Sequence, residues 1–306
     1  MSTNKILVFG CHGQVGSSFR GLFRKTGNVF YADMVPKAPG VLPCDLTSDT
    51  SIKETINKVK PSVIINCAAY TAVDLAEKEK DLATKINGEA VEVIAKEAEK
   101  LGAILVHYST DYVFNGNGSE AWHEDSPTDP INTYGHSKLL GERAALKHCS
   151  KAYVFRTQWV YDNEGKNFLN TMLRLASEKE ELSVVGDQIG APTSSDVIAR
   201  YTLKALTKIT AGKMPAGIYN LVCRGEVSWH GFAEEIFKLA REHQISIKIK
   251  SVKKIKSADY PTPAKRPFNS RLSLKKLETA LDESLPSWDL ELARLMDERA
   301  FLLKLN

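Results

Sequence analysis

The sequence predicts an α/β fold, in which a doubly wound parallel sheet is followed by a smaller C-terminal α/β lobe. Two observations indicate this class. Short apolar runs rich in β-branched residues alternate along the chain with longer segments of helical period. These runs are apolar almost throughout, which is typical of parallel strands covered by helices on both faces. The predicted strands of the first half lie at 6–9, 29–32, 63–66, 104–108 and 153–156.

The helices and the second half follow from the same patterns. Residues 81–101 form the clearest helix, because Leu82, Ile94 and Leu101 recur toward one side and Gly102 follows as a stop signal. Beyond residue 160 the alternation loosens. There we predict helices at 168–180, at 197–207, from a Ser228 N-cap to about His243 and from Asp289 onward, strands at 182–185 and 217–222, a polar loop at 187–195 and an extended stretch at 251–270.

Composition excludes several classes of protein. The 306 residues include 43% apolar side chains, which rules out a disordered or collagen-like chain. No apolar run approaches the roughly 18 to 20 residues of a membrane span, and no cleavable signal is visible, so we expect a cytoplasmic protein. The five cysteines are far apart and never in Cys-x-x-Cys spacing, which predicts free thiols. A net charge of +4 is too small to indicate a nucleic acid partner.

A glycine-rich turn follows the first predicted strand. It reads Gly10-Cys11-His12-Gly13-Gln14-Val15-Gly16, and a helix is predicted to open at Ser17. Glycines allow a tight turn and a close approach of backbone to ligand, while the helix N-terminus offers free N–H groups to a pyrophosphate. The pattern predicts a dinucleotide site in a Rossmann-type sheet. We therefore assign 1–160 to a dinucleotide-binding domain and 161–306 mainly to a substrate-binding lobe, some segments of which are expected to return to the first domain.

The end of the second strand bears on which dinucleotide is bound. Asp33 lies where a carboxylate can accept hydrogen bonds from an adenosine ribose, which indicates that NADH is tolerated. Lys37 or Arg20 could compensate for that carboxylate beside the 2′-phosphate of NADPH. The cofactor is therefore predicted to be NADPH or NADH.

Two segments of the first half carry groups suited to proton transfer. Tyr134 and Lys138 lie one turn apart on one face of a predicted helix. Because the ordinary pKa of a tyrosine is roughly 10, we expect Lys138 to lower the pKa of Tyr134. Hydroxyl groups in the segment Ser109-Thr110-Asp111-Tyr112-Val113-Phe114 leave the end of another strand. Ligands of parallel sheets bind at that edge.

These motifs, in this order, resemble the extended short-chain dehydrogenases. The narrower resemblance is to the dTDP-4-dehydrorhamnose reductase family, and it spans nearly the whole chain. It rests on Asn66-Cys-Ala-Ala-Tyr-Thr-Ala-Val-Asp74, Arg156-Thr-Gln-Trp-Val-Tyr161, Asp187-Gln-Ile-Gly-Ala-Pro-Thr193, Arg266-Pro-Phe-Asn-Ser-Arg-Leu272 and Leu285-Pro-Ser-Trp288.

The resemblance implies a role for each matching residue. Tyr134 would be the proton donor, Lys138 would hold the nicotinamide ribose, and Thr110 would bond the substrate carbonyl. The cofactor would be lined by Gly10, Gly13, Gln14, Val15, Gly16, Asp33, Asp45, Leu46, Ala69, Tyr70, Thr71, Tyr108, Tyr134 and Lys138, and the sugar nucleotide by Thr110, Asp111 and Trp159. The reaction would be NAD(P)H-dependent reduction of the C4 ketone of dTDP-4-dehydro-L-rhamnose to dTDP-L-rhamnose, the last step of dTDP-rhamnose synthesis for cell-surface polysaccharide.

Some readings of single residues stay open. Trp159 fits a core position as well as a substrate contact, and Arg266 and Asn269 fit either a nucleotide contact or surface solubility. Some family members dimerise about a divalent cation held partly by acidic residues of the first helix. The residues after Gly16 here contain no such acid, so we predict no metal site and leave a homodimer open.

Two other functions also stay open at this point. One is a non-catalytic regulatory subunit of the methionine adenosyltransferase type, which resembles this family. The intact set of Thr110, Tyr134, Lys138 and Trp159 favours catalysis instead. The other is a related nucleotide-sugar epimerase or dehydratase, for which Asp111-Tyr112 supplies no carboxylate–lysine pair.

Overall fold

The computed structural model describes residues 5–24 and 26–305, which form strands and helices in alternation. The strands are β1 Ile6–Phe9, β2 Val29–Asp33, β3 Val41–Pro43, β4 Val63–Asn66, β5 Ile104–Thr110, β6 Ala152–Thr157, β7 Val160–Tyr161, β8 Glu181–Val185, β9 Ile189–Gly190, β10 Thr193–Ser194, β11 Gly217–Asn220, β12 Val227–Ser228 and β13 Ser251–Ile255. The helices are α1 Gln14–Leu22, α2 Asp49–Val59, α3 Val73–Ala76, α4 Lys80–Thr84, α5 Ala90–Leu101, α6 Thr133–His148, α7 Phe168–Glu178, α8 Ser195–Thr210, α9 Trp229–Glu242, α10 Lys275–Leu281 and α11 Trp288–Leu305. A π-helical turn, Lys85–Glu89, joins α4 to α5, and a 3₁₀ turn, Asp111–Val113, follows β5.

Over residues 5–24 and 26–305, the central sheet has seven strands in the order β11-β6-β5-β4-β1-β2-β3. Every neighbouring pair is parallel. Strands β2 and β3 lie on one side of β1, and the chain then crosses to the other side of β1, where β4, β5 and β6 follow. Such a reversal of strand order leaves a crevice at the carboxyl ends of the strands, where ligands of doubly wound sheets bind.

Both faces of this sheet are covered. On β1, Leu7 and Phe9 pack into one apolar cluster with α2 and α5, whereas Val8 packs into another with α1, α8 and α10. This division explains why the strands are apolar at consecutive positions rather than at alternate ones.

A separate apolar cluster underlies the C-terminal lobe. Helices α7, α9 and α11 contribute Leu173, Phe237 and Met296 to it, and β8 contributes Val184. Within residues 161–306, however, α8, α10 and β11 belong to the central sheet and its covering layer. The division near residue 160 stays a prediction.

The predicted fold class is confirmed, and several local features are as expected. All five predicted strands of the first half are present. Gly102 ends α5 with φ +64°, and the Ser228 hydroxyl caps α9 by accepting the N–H of Gly231 at 3.0 Å.

Other local predictions are wrong. Helix α1 begins at Gln14 rather than Ser17, because Gly13 is already its extended N-cap residue. Strand β3 was not predicted, because three residues are too few to show a periodic pattern. The segment 187–195, predicted as a loop, contains the short strands β9 and β10. The predicted helix at 81–101 is interrupted by the π-helical turn, and Leu82 and Leu101 are exposed rather than packed on the core. Over the described residues, no helix is both long and apolar enough to cross a bilayer.

Candidate active site

The glycine turn between β1 and α1 lies at the carboxyl edge of the sheet. Gly10 has φ +71°, and a Cβ at this residue would lie 2.6 Å from the Cα of Ala68. A Cβ at Gly16 would lie 2.1 Å from the carbonyl oxygen of Gly10, so both positions exclude a side chain. Within the described part of the chain, no side chain caps the N-terminus of α1 at Gly13, which leaves the first N–H groups of the helix for an anion.

A cavity of about 420 Å³ extends along this edge from the glycine turn to helix α6. Most of the residues predicted to bind the cofactor line it, namely Gly10, Gly13, Gln14, Val15, Asp33, Asp45, Leu46, Ala69, Thr71, Tyr108, Tyr134 and Lys138. The other two predicted residues, Gly16 and Tyr70, do not line the cavity. Gly16 packs against the backbone of Gly10, and the Tyr70 phenol donates to Glu79 Oε2 at 2.8 Å. The structure therefore brings the glycine turn and the Tyr134–Lys138 pair to one cavity.

Basic groups flank Asp33 at one end of this cavity. The Asp33 carboxylate accepts the backbone N–H of His12 at 2.9 Å. The His12 ring lies 3.1 Å from Arg20 Nη1 and accepts the backbone N–H of Lys37 at 3.0 Å. Arg20 has no ion pair with a carboxylate of the described residues. This end of the cavity can therefore receive either a ribose hydroxyl or a phosphate.

Cys11, His12 and Asp33 also form the one group of three potential metal ligands found among the described residues. Burial raises the pKa of the Cys11 thiol to about 11, so it is protonated near neutral pH. Both nitrogens of His12 already face hydrogen-bonding groups. Because metals bind thiolate and a free imidazole nitrogen, this arrangement is poorly suited to an ion.

Helix α6 carries Tyr134 and Lys138 at the other end of the cavity. Its N-cap residue is Asn132, whose side chain accepts the N–H of Gly135 at 2.7 Å and donates to the carbonyl of Lys265 at 2.7 Å. A Cβ at Gly135 would lie 2.2 Å from the carbonyl oxygen of Tyr112. The first turn of α6 is therefore held close to the 3₁₀ turn after β5.

The protonation states of this pair are set mainly by burial. Desolvation lowers the pKa of Lys138 to about 8, and the negative charge of Glu142 partly opposes this shift. Burial, followed by the charge of Asp111, raises the pKa of the Tyr134 phenol above its ordinary value. The expected net lowering of the Tyr134 pKa is therefore not found in this structure, because burial dominates the shift. A phenol that stays protonated remains a competent acid.

Sequence reasoning missed Asn87, which connects the cavity loop to α6. Its side chain accepts the N–H of Tyr70 at 2.8 Å, and donates to the carbonyl of Tyr70 at 2.9 Å and to Ser137 Oγ at 3.0 Å. Asn87 lies in the π-helical turn, a rare geometry that occurs often at functional sites. No local pattern of apolar residues signals it.

Thr110 and Asp111 lie beside Tyr134 but outside the cavity lining. The Thr110 hydroxyl donates to Asp111 Oδ1 at 3.1 Å, and the Ser270 hydroxyl donates to Asp111 Oδ2 at 2.5 Å. Burial raises the pKa of Asp111 to about 7 despite these hydrogen bonds. The carboxyl group next to the proton-transfer pair is thus itself titratable near neutral pH.

Trp159 is placed by an unusual backbone and an aromatic partner. It has φ +47°, a conformation that is rare for a bulky residue, and it is partly buried. Its ring stacks on Trp229 with 3.7 Å between centroids and 13° between planes. Trp229, unlike Trp159, lines a second cavity.

That second cavity of about 1000 Å³ lies between the sheet edge and the C-terminal lobe. Arg266 lines it and is paired with Asp74 at 2.9 Å. Asn269 does not line it, because its side chain is buried and donates to the carbonyl of Glu120 at 2.7 Å. A surface solubility role for Asn269 is therefore wrong.

The parallel sheet, the glycine turn and the Tyr134–Lys138 helix at one cavity define a Rossmann-fold protein of the short-chain dehydrogenase class. Residues 4–301 match the family described as RmlD substrate binding domain. A dTDP-4-dehydrorhamnose reductase of Shigella flexneri is 43% identical over 295 residues, which cover 96% of this chain and 97% of that protein.

Solved structures of dTDP-4-dehydrorhamnose reductases are also similar to this chain over nearly its whole length. A dTDP-4-dehydrorhamnose reductase of Clostridium acetobutylicum has a TM-score of 0.87 and 36% identity, covering 96% of this chain and 99% of the other. One of Bacillus anthracis, in complex with NADP, has a TM-score of 0.87 and 33% identity, covering 97% and 99%. The chain belongs to the dTDP-4-dehydrorhamnose reductase family.

Proposed function

We propose that the protein reduces the C4 ketone of dTDP-4-dehydro-L-rhamnose to dTDP-L-rhamnose with NADPH or NADH. The observation that carries the proposal is the single cavity that has the glycine turn at one end and Tyr134 with Lys138 at the other. Family membership supplies the substrate, since the relatives over nearly the whole chain are named as reductases of dTDP-4-dehydrorhamnose.

The residues of the cavity fit a nicotinamide dinucleotide. At the glycine turn, Gly10 and Gly16 have no room for a Cβ, and the N-terminus of α1 is uncapped, which suits a pyrophosphate. Farther along, Ser109 and Thr157 line the cavity, and their buried hydroxyl oxygens have no hydrogen-bond partner among the described residues. Buried hydroxyl groups are rarely left unpaired, so these two support a polar ligand at that end.

The bound reduced nicotinamide supplies the hydride that the C4 carbon of the sugar accepts. In the same step Tyr134 gives its phenolic proton to the C4 oxygen, so that the ketone becomes a secondary alcohol. The raised pKa of Tyr134 keeps that proton in place until the oxygen becomes basic. The Lys138 ammonium, with a pKa of about 8, stays mostly charged at neutral pH and stabilises the phenolate that remains.

Thr110 and Asp111 would act on the substrate side. The Thr110 hydroxyl is bonded to Asp111, so it must turn from that bond to donate to the C4 oxygen. The Asp111 carboxyl would keep its bond from Ser270 when this happens. We assign Trp159 to the wall of the sugar site, where its stacking on Trp229 fixes the ring plane.

The test is loss of reduced-nicotinamide absorbance with enzymatically prepared dTDP-4-dehydro-L-rhamnose, measured with NADPH and with NADH. The comparison substrate is the glucose-derived dTDP-4-keto sugar, on which we expect much lower turnover. Binding of NADPH without oxidation on either sugar would instead favour the regulatory subunit.

We also propose a cytoplasmic location, because reduced nicotinamides are held there and none of the five cysteines forms a disulfide. A homodimer stays a prediction, which light scattering of the purified protein would test. The small net charge of +4 is our reason for expecting no nucleic acid partner.

A further inference from the structure

A buried ion pair lies directly behind the proposed catalytic lysine. Arg156 donates from Nε and Nη2 to the two carboxylate oxygens of Glu142, at 2.9 Å and 2.8 Å. Both side chains are 2% exposed. Glu142 follows Lys138 by one turn of α6, as Lys138 follows Tyr134, so these three residues share one face of the helix.

Arg156 is held from three sides. Besides Glu142, its Nη1 donates to the carbonyl of Glu124 at 3.1 Å, and its guanidinium lies 4.9 Å from the centroid of the Phe114 ring. The Glu142 carboxylate is therefore fixed in place by a partner that cannot itself lose its charge.

Stability alone is a weak explanation for this pair. Taking two charges out of water costs about as much as their attraction returns, and apolar residues of similar volume often do as well or better. The pair is therefore expected to serve another purpose. Lys138, a residue that is 3% exposed and lies one helical turn before Glu142, is a group on which the Glu142 charge acts.

Among the described residues, the other titratable groups around Lys138 do not supply a negative charge to it. On its own helix, Tyr134 is a neutral phenol. From β5, His107 is buried, and burial holds its pKa well below the ordinary value, so the imidazole is neutral. From the 3₁₀ turn after β5, Asp111 and Tyr112 face Tyr134, and it is the phenol of Tyr134 that the Asp111 charge affects.

We propose that Glu142, fixed by Arg156, is a positioning residue whose carboxylate keeps Lys138 charged in its buried site. The inference rests on the proposed function, in which Lys138 is the cation beside the phenol. Glu142 supplies the attraction that burial of Lys138 removes from water, and Arg156 limits that attraction by sharing the carboxylate.

The experiment follows the titration of Lys138 directly by NMR of protein labelled with ¹³C at the lysine ε-carbons. The Lys138 signal is identified by its absence in Lys138→Met. In the wild-type protein its midpoint should lie near pH 8. In Glu142→Gln we expect the midpoint to fall by about one pH unit, because an opposite charge is lost.

Arg156→Met is expected to shift the Lys138 midpoint in the opposite direction from Glu142→Gln. It removes a cation and leaves the Glu142 carboxylate to Lys138 alone, so the Lys138 midpoint should rise. A pair that only supports the fold would shift the midpoint in the same direction in both variants, or not at all, and either result overturns the proposal.

Glu142→Gln leaves a buried arginine unpaired and could fail to fold. The double variant Glu142→Gln with Arg156→Met removes both charges and keeps the site filled, and its Lys138 midpoint should still fall below that of Arg156→Met. Glu178→Gln, which breaks an exposed pair with Arg174, is the control and should leave the midpoint unchanged. Because the titration needs no substrate, a failed reductase assay and a failed inference are told apart.

Discussion

The two ends of the dinucleotide cavity differ in their contact with water. At the reacting end, Lys138 and Thr157 are buried, and at the opposite end His12 and Arg20 are only partly buried and Lys37 is exposed. Burial shifts pKa values strongly at the first end, as the lowered pKa of Lys138 illustrates. Charges at the second end are hydrated and screened by salt. Substitutions should therefore have large effects on chemistry at one end and small effects on cofactor choice at the other.

The largest effect is expected for Tyr134→Phe. Loss of the proton donor should lower kcat by about 10²–10⁴-fold while NADPH binding is largely kept, because the ring and its contacts remain. Stopped-flow oxidation of NADPH measures the rate, and quenching of tryptophan fluorescence measures binding. Tyr201→Phe, which removes a phenol that is bonded to Glu283 and lines neither cavity, is the matched control. Turnover at the wild-type rate would remove Tyr134 from the proposed role.

Asp111→Asn tests the effect of burial on stability. The folded pKa of Asp111 is raised to about 7 from an ordinary 3.8, so its contribution to stability is complete below pH 3.8 and is lost as pH rises through 7. Between pH 5 and pH 8 the wild-type protein should lose stability relative to the variant by on the order of 2 kcal/mol.

Urea unfolding of both proteins at the two pH values measures this difference. Comparing the two proteins cancels the titration of all other groups that the substitution leaves unchanged. Asp125→Asn, at an exposed aspartate, should show no such divergence. Parallel pH profiles for wild type and Asp111→Asn would mean that Asp111 is not desolvated as the structure places it.

Features of the fold and the site that depend on neighbouring residues could be predicted from the sequence, whereas features that depend on contacts between distant segments could not. The strands and the glycine turn were predictable, because burial on both faces and tight turns leave local signals in composition. The bonds of Asn87 to Ser137 and of Ser270 to Asp111 join distant segments, and no local pattern records which segments become neighbours. The protonation of Tyr134 was mispredicted for the same reason, since helical spacing reveals proximity to Lys138 but not the extent of burial.

A moderate effect is expected for Thr157→Val and Ser109→Ala. If their unpaired hydroxyl groups bond the nicotinamide half of the cofactor, each variant should bind NADPH about 10-fold more weakly, the usual worth of one buried hydrogen bond. Fluorescence titration with NADPH and with 2′,5′-ADP measures this, because the second ligand lacks the nicotinamide half. Equal weakening for both ligands would place the defect elsewhere in the fold.

The smallest effect is expected at the exposed end. Arg20 lies beside the His12 ring and over Tyr31 and has no carboxylate partner among the described residues, so it can meet the 2′-phosphate that distinguishes NADPH from NADH. Arg20→Ala should weaken NADPH binding about fivefold and leave NADH binding unchanged, since exposed ion pairs contribute up to about 1 kcal/mol. The difference should shrink as salt is raised, because screening acts within about 10 Å at 0.1 M. Arg24→Ala, at an exposed cation after the same helix, controls for net charge. If NADH and NADPH weaken together, Arg20 supports the glycine turn rather than reading the phosphate, and the two ends of the cavity would be less different than their exposure implies.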